Sequence, residues 1–204
     1  VNLSKFILSY CDSLITTNKS LYNQYSTELN QKSVINLPCY IPFNTTQEER
    51  QKVESKLKQV NQFKQKKDKC IIVSIWKLCF TEGVDLYGVD ISIESFSKLL
   101  HEYKDKNLGL VIHVGSANSQ DIKYMKKLQE KYKIADDNIC WVLNKDIPSY
   151  LLVSEIDIFL RATYTDGGPV SLFEIQEASP KTVILASDCC ERIENIVLFK
   201  NRCV

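Results

Sequence analysis

Two carboxylates frame a glycine-rich loop in the stretch YTDGGPVSLFEIQEA, residues 164–178. Asp166 stands directly before Gly167 and Gly168, and Glu174 follows after seven intervening residues, inside a segment predicted to be helical. The first N–H groups of a helix have no partner within the helix and carry partial positive charge, so they attract phosphate. Gly167 and Gly168 let the backbone approach a ligand closely because they have no Cβ. The stretch therefore predicts an anion site between two acidic side chains.

The residues beside this loop predict how a phosphorylated ligand would be held. Backbone N–H groups of Val170 and Ser171 would bind the phosphate. The carboxylate of Glu174 would accept hydrogen bonds from two neighbouring sugar hydroxyls, and Asp166 would face the group beyond the phosphates. One alternative stays open on the loop alone. In it the segment is a plain tight turn, Asp166 is a helix cap, and Glu174 is an acid favoured by the helix dipole.

The overall composition excludes several classes of protein. The chain has 204 residues, of which 44% are apolar and 25% charged, and its net charge is +1. Such values are typical of a globular chain and do not favour nucleic acid as a partner. No C-x-x-C pair occurs among the eight cysteines and there are two histidines, so neither a metal site nor another cofactor is expected. Free cysteines fit the cytoplasm, and no secretory signal or bilayer-spanning apolar run is recognisable.

From residue 70 onward, apolar runs alternate with helical patterns. Continuous apolar runs are typical of strands buried on both faces of a parallel sheet. The runs are CIIVSIW (70–76), LGLVIHVG (108–115), NICWVLN (138–144), IDIFLRA (156–162), KTVILASD (181–188) and NIVLF (195–199). The alternation predicts a Rossmann-like, doubly wound α/β domain, in which ligands bind outside the carboxyl ends of the strands. Asp90 is expected to cap the first helix of this domain, and His113 is expected to be a core residue.

The remainder of the chain predicts two further segments. Residues 1–43 show a strand, a helix and a strand, as in a partial second α/β unit whose amino-terminal part is missing. Residues 44–69 lack Gly and Pro and are rich in Lys, Gln and Glu, which predicts a polar helical linker. Its basic end, residues 64–69, is typical of a solvated face, and a peripheral membrane contact is the minority interpretation. The main domain would span residues 70–204, with its carboxyl end also truncated.

The stretch DIFLRATYTDGGPVSLFEIQEASPKTVILASDCCERIENIVLFKN resembles the carboxyl-terminal domain of retaining GT-B glycosyltransferases of the glycosyltransferase family 4 type. Those enzymes carry an acidic residue, seven residues and a Glu on a loop and the helix after it. Asp166 and Glu174 match this spacing, with Asp in place of the first Glu. Further matching positions are Arg161, Gly167, Ser171, Ser187, Asp188 and Arg192. The resemblance runs from about residue 70 to the end and extends weakly into residues 1–43.

This resemblance implies a donor site for a nucleotide-diphosphate sugar. Glu174 would hold the ribose, Asp166 would lie beside the transferred sugar, and the loop amides would hold the diphosphate. Lys77 would also contact the diphosphate, Gly115 would end the second strand, and the loop from Leu143 would read the base through its backbone. Negative charge develops on the diphosphate as the glycosidic bond breaks. Fixed dipoles and a cation placed there stabilise the transition state without a metal ion.

The function implied is transfer of a sugar to a glycan or lipid-linked acceptor in surface polysaccharide synthesis, in the cytoplasm or at the inner face of the membrane. Two departures from the family support an alternative, a non-catalytic GT-B-like binding or scaffold module. Tyr87 stands where the family often has a second basic residue for the diphosphate. Ile175 stands where it usually has Ala, and the segment after Ile175 is two residues longer. A dinucleotide enzyme is disfavoured because no G-x-G-x-x-G follows a strand.

Overall fold

A computed structural model describes most of the chain, namely residues 3–8, 10–28, 33–37, 40, 46–143, 147–153, 156–167, 170–190 and 192–202. The strands, in chain order, are β1 (Ser13–Thr16), β2 (Ser33–Asn36), β3 (Lys69–Ile75), β4 (Phe80–Thr81), β5 (Val84–Asp85), β6 (Leu108–Val114), β7 (Ile139–Leu143), β8 (Ile158–Arg161), β9 (Val183–Ser187) and β10 (Val197–Phe199). The α-helices are α1 (Leu3–Leu8), α2 (Lys19–Glu28), α3 (Gln47–Lys64), α4 (Val89–Glu102), α5 (Ser119–Lys131), α6 (Ser149–Leu152) and α7 (Val170–Ala178).

Six of these strands form one parallel sheet, in the order β10-β9-β8-β3-β6-β7. Counted in chain order within this sheet, the strands run 3-2-1-4-5-6 from the β7 edge, which is the order of the Rossmann fold. The predicted fold class, a Rossmann-like doubly wound α/β sheet, is confirmed. The first strand of the sheet, β3, lies beside the fourth, β8, so the direction of winding reverses between them.

The continuous apolar runs build two cores, one on each face of the sheet. Along β3, Cys70 and Ile72 belong to the core that α3, α6 and α7 cover. Ile71 and Val73 belong to the opposite core, under α4 and α5. Side chains alternate between the faces of a strand, so a strand covered by helices on both sides is apolar at most positions of both faces. This is why the six runs were recognisable as strands.

The amino-terminal part of the chain contains the expected strand–helix–strand pattern. Strands β1 and β2 pair in parallel, with Ser13 opposite Ser33, and α2 connects them. Several large apolar side chains of this part are exposed, among them Ile15 at 60% and Ile35 at 43%. The division of the chain into domains at residues 43 and 69 stays a prediction. None of the described helices is both long enough and apolar enough to cross a lipid bilayer.

The start of α4 corrects one expectation about capping. The residue before the helix is Gly88, at a φ of 68°, and a Cβ there would overlap the carbonyl group of Ala162. The carboxylate of Asp85 accepts hydrogen bonds from four successive backbone N–H groups, including Gly88 at 3.2 Å and Val89 at 2.9 Å. Asp90 instead lies in the first turn, where Arg202 pairs with its carboxylate through two guanidinium nitrogens. The cap comes from Asp85 because the hairpin of β4 and β5 brings it under the helix end.

Candidate functional site

A cavity of about 400 Å³ lies at the carboxyl ends of β3 and β8. This is the point of a doubly wound sheet at which the crevice for ligands forms, because the connections on either side depart in opposite directions. The polar and aromatic residues that line it come from six segments of the chain: Ser74, Trp76, Tyr87, His113, Ser149, Arg161, Ser171 and Glu174. A larger cavity of about 820 Å³, between α3 and the start of β7, lies at the opposite edge of the sheet. The fold therefore favours the smaller cavity as the candidate site.

Asp166 is held by two arginines. Its Oδ2 atom accepts a hydrogen bond from Nε of Arg161 at 2.8 Å and from Nη1 of Arg192 at 3.0 Å. Thr163 donates to the same oxygen from its hydroxyl at 3.3 Å. The Asp166 side chain is 9% exposed and that of Arg192 only 1%. The three charged side chains thus form a nearly dry cluster that joins the end of β8 to the segment after β9.

The arginines determine the ionisation of Asp166. Burial by itself would raise the pKa of this carboxyl, but the charges and hydrogen bonds of Arg161 and Arg192 outweigh burial and hold the pKa below its ordinary value of 3.8. Asp166 is therefore a stable carboxylate near neutral pH. It does not line the cavity, whereas Arg161 does. The arrangement suits a carboxylate that orients guanidinium groups, rather than one that exchanges protons.

Glu174 is placed differently. It lies in the second turn of α7, it is half-buried, and it lines the cavity. Among the described residues, no donor forms a hydrogen bond or ion pair with its carboxylate. Burial raises the pKa of Glu174 above its ordinary value of 4.5. A half-buried carboxylate that lines a cavity has acceptor oxygens available to a ligand that supplies hydrogen-bond donors.

The start of α7 provides the other half of a phosphate site. Val170 begins the helix and lines the cavity with Ser171, whose hydroxyl accepts a hydrogen bond from Nη1 of Arg161 at 3.3 Å. The first N–H groups of the helix have no intrahelical acceptor and carry partial positive charge. Gly167 has open space where a Cβ would stand. Gly168, also predicted to belong to the site, lies outside the described residues.

A buried hydrogen-bonded chain that the sequence did not reveal closes the back of the cavity. The hydroxyl of Ser74 lies 2.8 Å from Nδ1 of His113 and 3.0 Å from the hydroxyl of Ser149. His113 is 4% exposed, as expected of a core residue, and it also lines the cavity. A period-two alternation on β3 and β6 assigns Ser74 and His113 to the same face. The sheet order was needed to show that neighbouring strands pair Ser74 with His113. It was also needed to show that α6 adds Ser149.

Of the predicted donor-binding residues, Arg161, Val170 and Ser171 line this cavity. Five others that the structure describes do not: Lys77, Gly115, Leu143, Gly167 and Arg192. Lys77 is exposed and, among the described residues, has no hydrogen-bond or ion-pair partner. Leu143 lies at the end of β7 and lines a small apolar cavity with Trp141 and Met125 instead. Gly115 lies directly under the indole of Trp76: a Cβ on Gly115 would stand 2.5 Å from Cε3 of that ring. The predicted roles of these residues in donor binding stay predictions.

No protein-family model and no curated protein matches the sequence. Solved structures do match. A UDP-forming α,α-trehalose-phosphate synthase from Burkholderia xenovorans, in complex with glucose-6-phosphate, is similar over 96% of this chain and 51% of its own, with a TM-score of 0.73 at 12% identity. A sucrose-phosphate synthase from Thermosynechococcus elongatus is similar over 98% of this chain and 48% of its own, with a TM-score of 0.65 at 15% identity.

A third structure matches a shorter part of the chain. It is the carboxyl-terminal domain of a glycosyl transferase group 1 family protein from Francisella tularensis, similar over 72% of this chain and 75% of its own, with a TM-score of 0.52 at 19% identity. At identities this low the likeness shows the fold, which is the Rossmann-like α/β architecture of GT-B structures. The chain spans about half the length of the trehalose-phosphate and sucrose-phosphate synthases that it matches.

Proposed function

We propose that this chain is the donor-binding part of a retaining GT-B glycosyltransferase of the family 4 type. Its cavity binds a nucleotide-diphosphate sugar, and the protein passes the sugar to a glycan or lipid-linked acceptor in surface polysaccharide synthesis. The reaction takes place in the cytoplasm or at the inner face of the membrane, without a metal ion. The observation that carries the proposal is Glu174, a half-buried carboxylate that lacks a donor among the described residues and faces the crevice.

The chemistry of a nucleotide sugar fits the groups around Glu174. Two adjacent ribose hydroxyls supply the donors that one carboxylate can accept in parallel. The start of α7 supplies N–H groups for the diphosphate, and Arg161 supplies a cation within the cavity lining. Both are fixed by the fold before the ligand arrives, so they stabilise charge that develops on the leaving diphosphate at little reorganisation cost. The solved structures of similar fold, which include a UDP-forming synthase, add support of a general kind.

A second candidate function draws on the surroundings of Asp166. Both arginines are already paired with it, and the carboxylate lies outside the cavity lining. A non-catalytic module that binds a nucleotide sugar, or scaffolds an assembly, needs no acid beside the transferred sugar. Measurement of sugar release or transfer in the complete polypeptide that carries residues 1–204 separates the two candidates, because only the enzyme turns the bound donor over.

The first test is thermal unfolding in the presence of UDP, GDP, ADP, CDP and their sugars. A ligand that binds the native state at a hundred times its dissociation constant adds about 2.7 kcal/mol of stability. We expect one nucleotide to raise the unfolding temperature of the wild type. The same nucleotide should stabilise Glu174→Gln by about half as much or less, because its dissociation constant rises about tenfold or more, and it should have a reduced effect on Lys77→Ala.

The matched control is Glu102→Gln, which removes an exposed carboxylate from the last turn of α4, away from the cavity. It should respond to the nucleotide as the wild type does. If no nucleotide raises the unfolding temperature of folded samples of the complete polypeptide, the proposal is contradicted. The scaffold function then remains.

A further inference from the structure

Trp76 is an exposed aromatic residue at the mouth of the cavity. It follows the last residue of β3 directly, and 59% of its surface is exposed. Single exposed apolar side chains are common on proteins and need no explanation by themselves. Trp76 differs from them because it lines the cavity at the carboxyl end of β3, together with the half-buried ring of Tyr87.

The indole of Trp76 is seated on Gly115. A Cβ added to Gly115 would stand 2.5 Å from Cε3 and 2.8 Å from Cζ3 of the ring, so no other residue fits beneath it unless the ring moves. The backbone around this seat is also fixed. The N–H of Gly115 donates to the carbonyl of Ile75 at 3.0 Å, and the N–H of Ser116 donates to the carbonyl of Trp76 at 2.6 Å. The ring is therefore supported from below, while more than half of the residue's surface is exposed and part of it lines the cavity.

Apart from Trp76, the described lining contains the half-buried ring of Tyr87, apolar residues such as Ile147 and Val170, and several polar side chains. Glu174, Arg161 and Ser149 present charged or hydrogen-bonding atoms. A nucleotide sugar carries two kinds of ring with a face that stacks on an indole, the heteroaromatic base and the pyranose. Aromatic side chains stack on bases without requiring a particular hydrogen-bond pattern.

We propose that Trp76, seated on Gly115, is a stacking platform for a ring of the bound nucleotide sugar. This proposal rests on the proposed function, since it needs a donor in the cavity. It also gives Gly115 a role in the site beyond its place at the end of the second strand. The absence of a Cβ at Gly115 positions the platform, and a larger residue there would displace the indole from the crevice.

The closing experiment is calorimetric titration of the complete polypeptide with the nucleotide diphosphate and the nucleotide sugar selected by the thermal panel. Trp76→Ala should weaken binding about tenfold or more, in the range measured for loss of a stacked base. Trp76→Phe, which retains a flat ring, should recover most of that loss. Equal weakening for both ligands assigns the base to the platform, and weakening confined to the nucleotide sugar assigns the pyranose.

Gly115→Ala provides a second, independent arm. It should weaken binding in the wild type by displacing the indole, and it should have little further effect in the Trp76→Ala background, because the group that it displaces is then gone. The sequence contains one other tryptophan, Trp141, whose indole N–H donates to Gln129 at 3.0 Å. In a Trp141→Phe background, fluorescence reports Trp76 alone and should change as the ligand binds.

Three results would overturn the proposal. If Trp76→Ala binds both ligands as the wild type does, the platform is absent and the donor site stands. If Gly115→Ala weakens binding equally with and without Trp76, the glycine acts through another contact. If the folded wild type binds no nucleotide in calorimetry, the platform and the proposed function both fail. Circular dichroism and unfolding curves identify any variant that has lost its fold, and Trp76→Phe then carries the test.

Discussion

The two sides of the crevice treat charge in opposite ways. The arginine side, which consists of Arg161, Asp166 and Arg192, pairs its charges with each other in a nearly dry environment. The open side, which consists of Trp76, Ser149 and Glu174, leaves a carboxylate without a donor among the described residues and an indole exposed. The arginine side comes from the end of β8, the loop after it and the segment after β9, and Arg161 is its member in the cavity lining. The open side comes from the end of β3 and from α6 and α7. The difference indicates that one side maintains the loop after β8 while the other is organised for a ligand.

The energetics of buried charge explain why mutations on the two sides should have different effects. A buried ion pair adds little net stability, but removal of one partner leaves an uncompensated charge and is strongly destabilising. The arginine side is therefore sensitive to mutation through stability. An unpartnered carboxylate already carries its desolvation cost in the free protein, so its replacement by an amide loses binding and little else. Stability and affinity should consequently separate the two sides.

The largest expected effect is that of Asp166→Asn on stability. The substitution removes the counter-charge of Arg192, whose side chain is 1% exposed, and of Arg161, at 13%. The free energy of unfolding, measured in urea, should fall by about 3 kcal/mol. Asp105→Asn is the matched control, because its side chain is 75% exposed and pairs with Lys106 at the surface, where such pairs contribute under about 1 kcal/mol. Equal losses for the two variants would show that the arginine side is not a structural cluster.

Glu174→Gln should show the reverse pattern. The amide keeps the shape of the side chain but loses the charge, so hydrogen bonds from two ligand hydroxyls weaken by about 1.5–3 kcal/mol, or roughly tenfold or more in the dissociation constant. Stability at neutral pH should stay unchanged or rise. Calorimetric titration and urea unfolding of the same sample measure both quantities. A large loss of stability with unchanged affinity would mean that Glu174 belongs to the folded scaffold, and the contrast between the sides would disappear.

The pH dependence of stability should also distinguish the two sides, although the expected effects are smaller. The pKa of Asp166 is lower in the folded protein than its ordinary value of 3.8, so its stabilising contribution is complete above that value and is lost as the pH falls through the folded pKa. The pKa of Glu174 is higher than its ordinary value of 4.5, so its charge destabilises the folded protein above that pH and has no effect well below it.

Urea unfolding from neutral pH to about pH 3 tests these signs. The stability difference between wild type and Asp166→Asn should shrink in the most acidic samples. That between Glu174→Gln and wild type should be positive near neutrality and vanish below about pH 4.5. A stability difference for Glu174→Gln that is independent of pH would show that its carboxylate is not desolvated in the folded protein.

The sequence predicted the sheet better than it predicted the site. The inner strands, such as β3 and β6, are continuous apolar runs because helices cover both faces of the sheet, and that pattern survives in a single sequence. At the edge strand β10 the apolar run is largely exposed. Asp166 and Glu174 were recognisable because their spacing follows from one loop and the helix after it. The partners of Asp166 were not, since the approach of Arg192 to the end of β8 depends on how β9 and the segment after it fold back.

Contacts between distant segments account for most of what was missed. Ser74 and His113 pair only because β3 and β6 are neighbours in the sheet, and Trp76 meets Gly115 for the same reason. The cap of α4 was assigned to Asp90 on local pattern, and the short hairpin of β4 and β5 places Asp85 there instead. Strands of two residues leave too weak a pattern to recognise. Residues whose contacts come from distant segments could therefore be identified only from the structure. Residues whose spacing is set by one loop could be identified from the sequence.

The smallest expected effect concerns Lys77, which follows Trp76 and lies outside the cavity lining. The side chain is exposed and has no partner among the described residues, so Lys77→Ala should change the free energy of unfolding by less than about 0.5 kcal/mol. Its predicted role as a cation for the diphosphate requires the side chain to reach towards the ligand. An exposed charge of this kind is screened by salt, so affinity for the nucleotide diphosphate should fall a few-fold at low ionic strength and hardly at all at high ionic strength.

Calorimetric titration of Lys77→Ala and wild type at the two ionic strengths measures this effect, with Lys104→Ala as the control for an exposed lysine at the far end of α4. A salt-dependent loss confined to Lys77→Ala would extend the open side beyond Trp76 and give the diphosphate a second cation besides Arg161. Equal affinities at low salt would instead leave the diphosphate to the start of α7 and Arg161. The contrast would then be weaker, because Arg161, which is already paired with Asp166, would also serve the ligand.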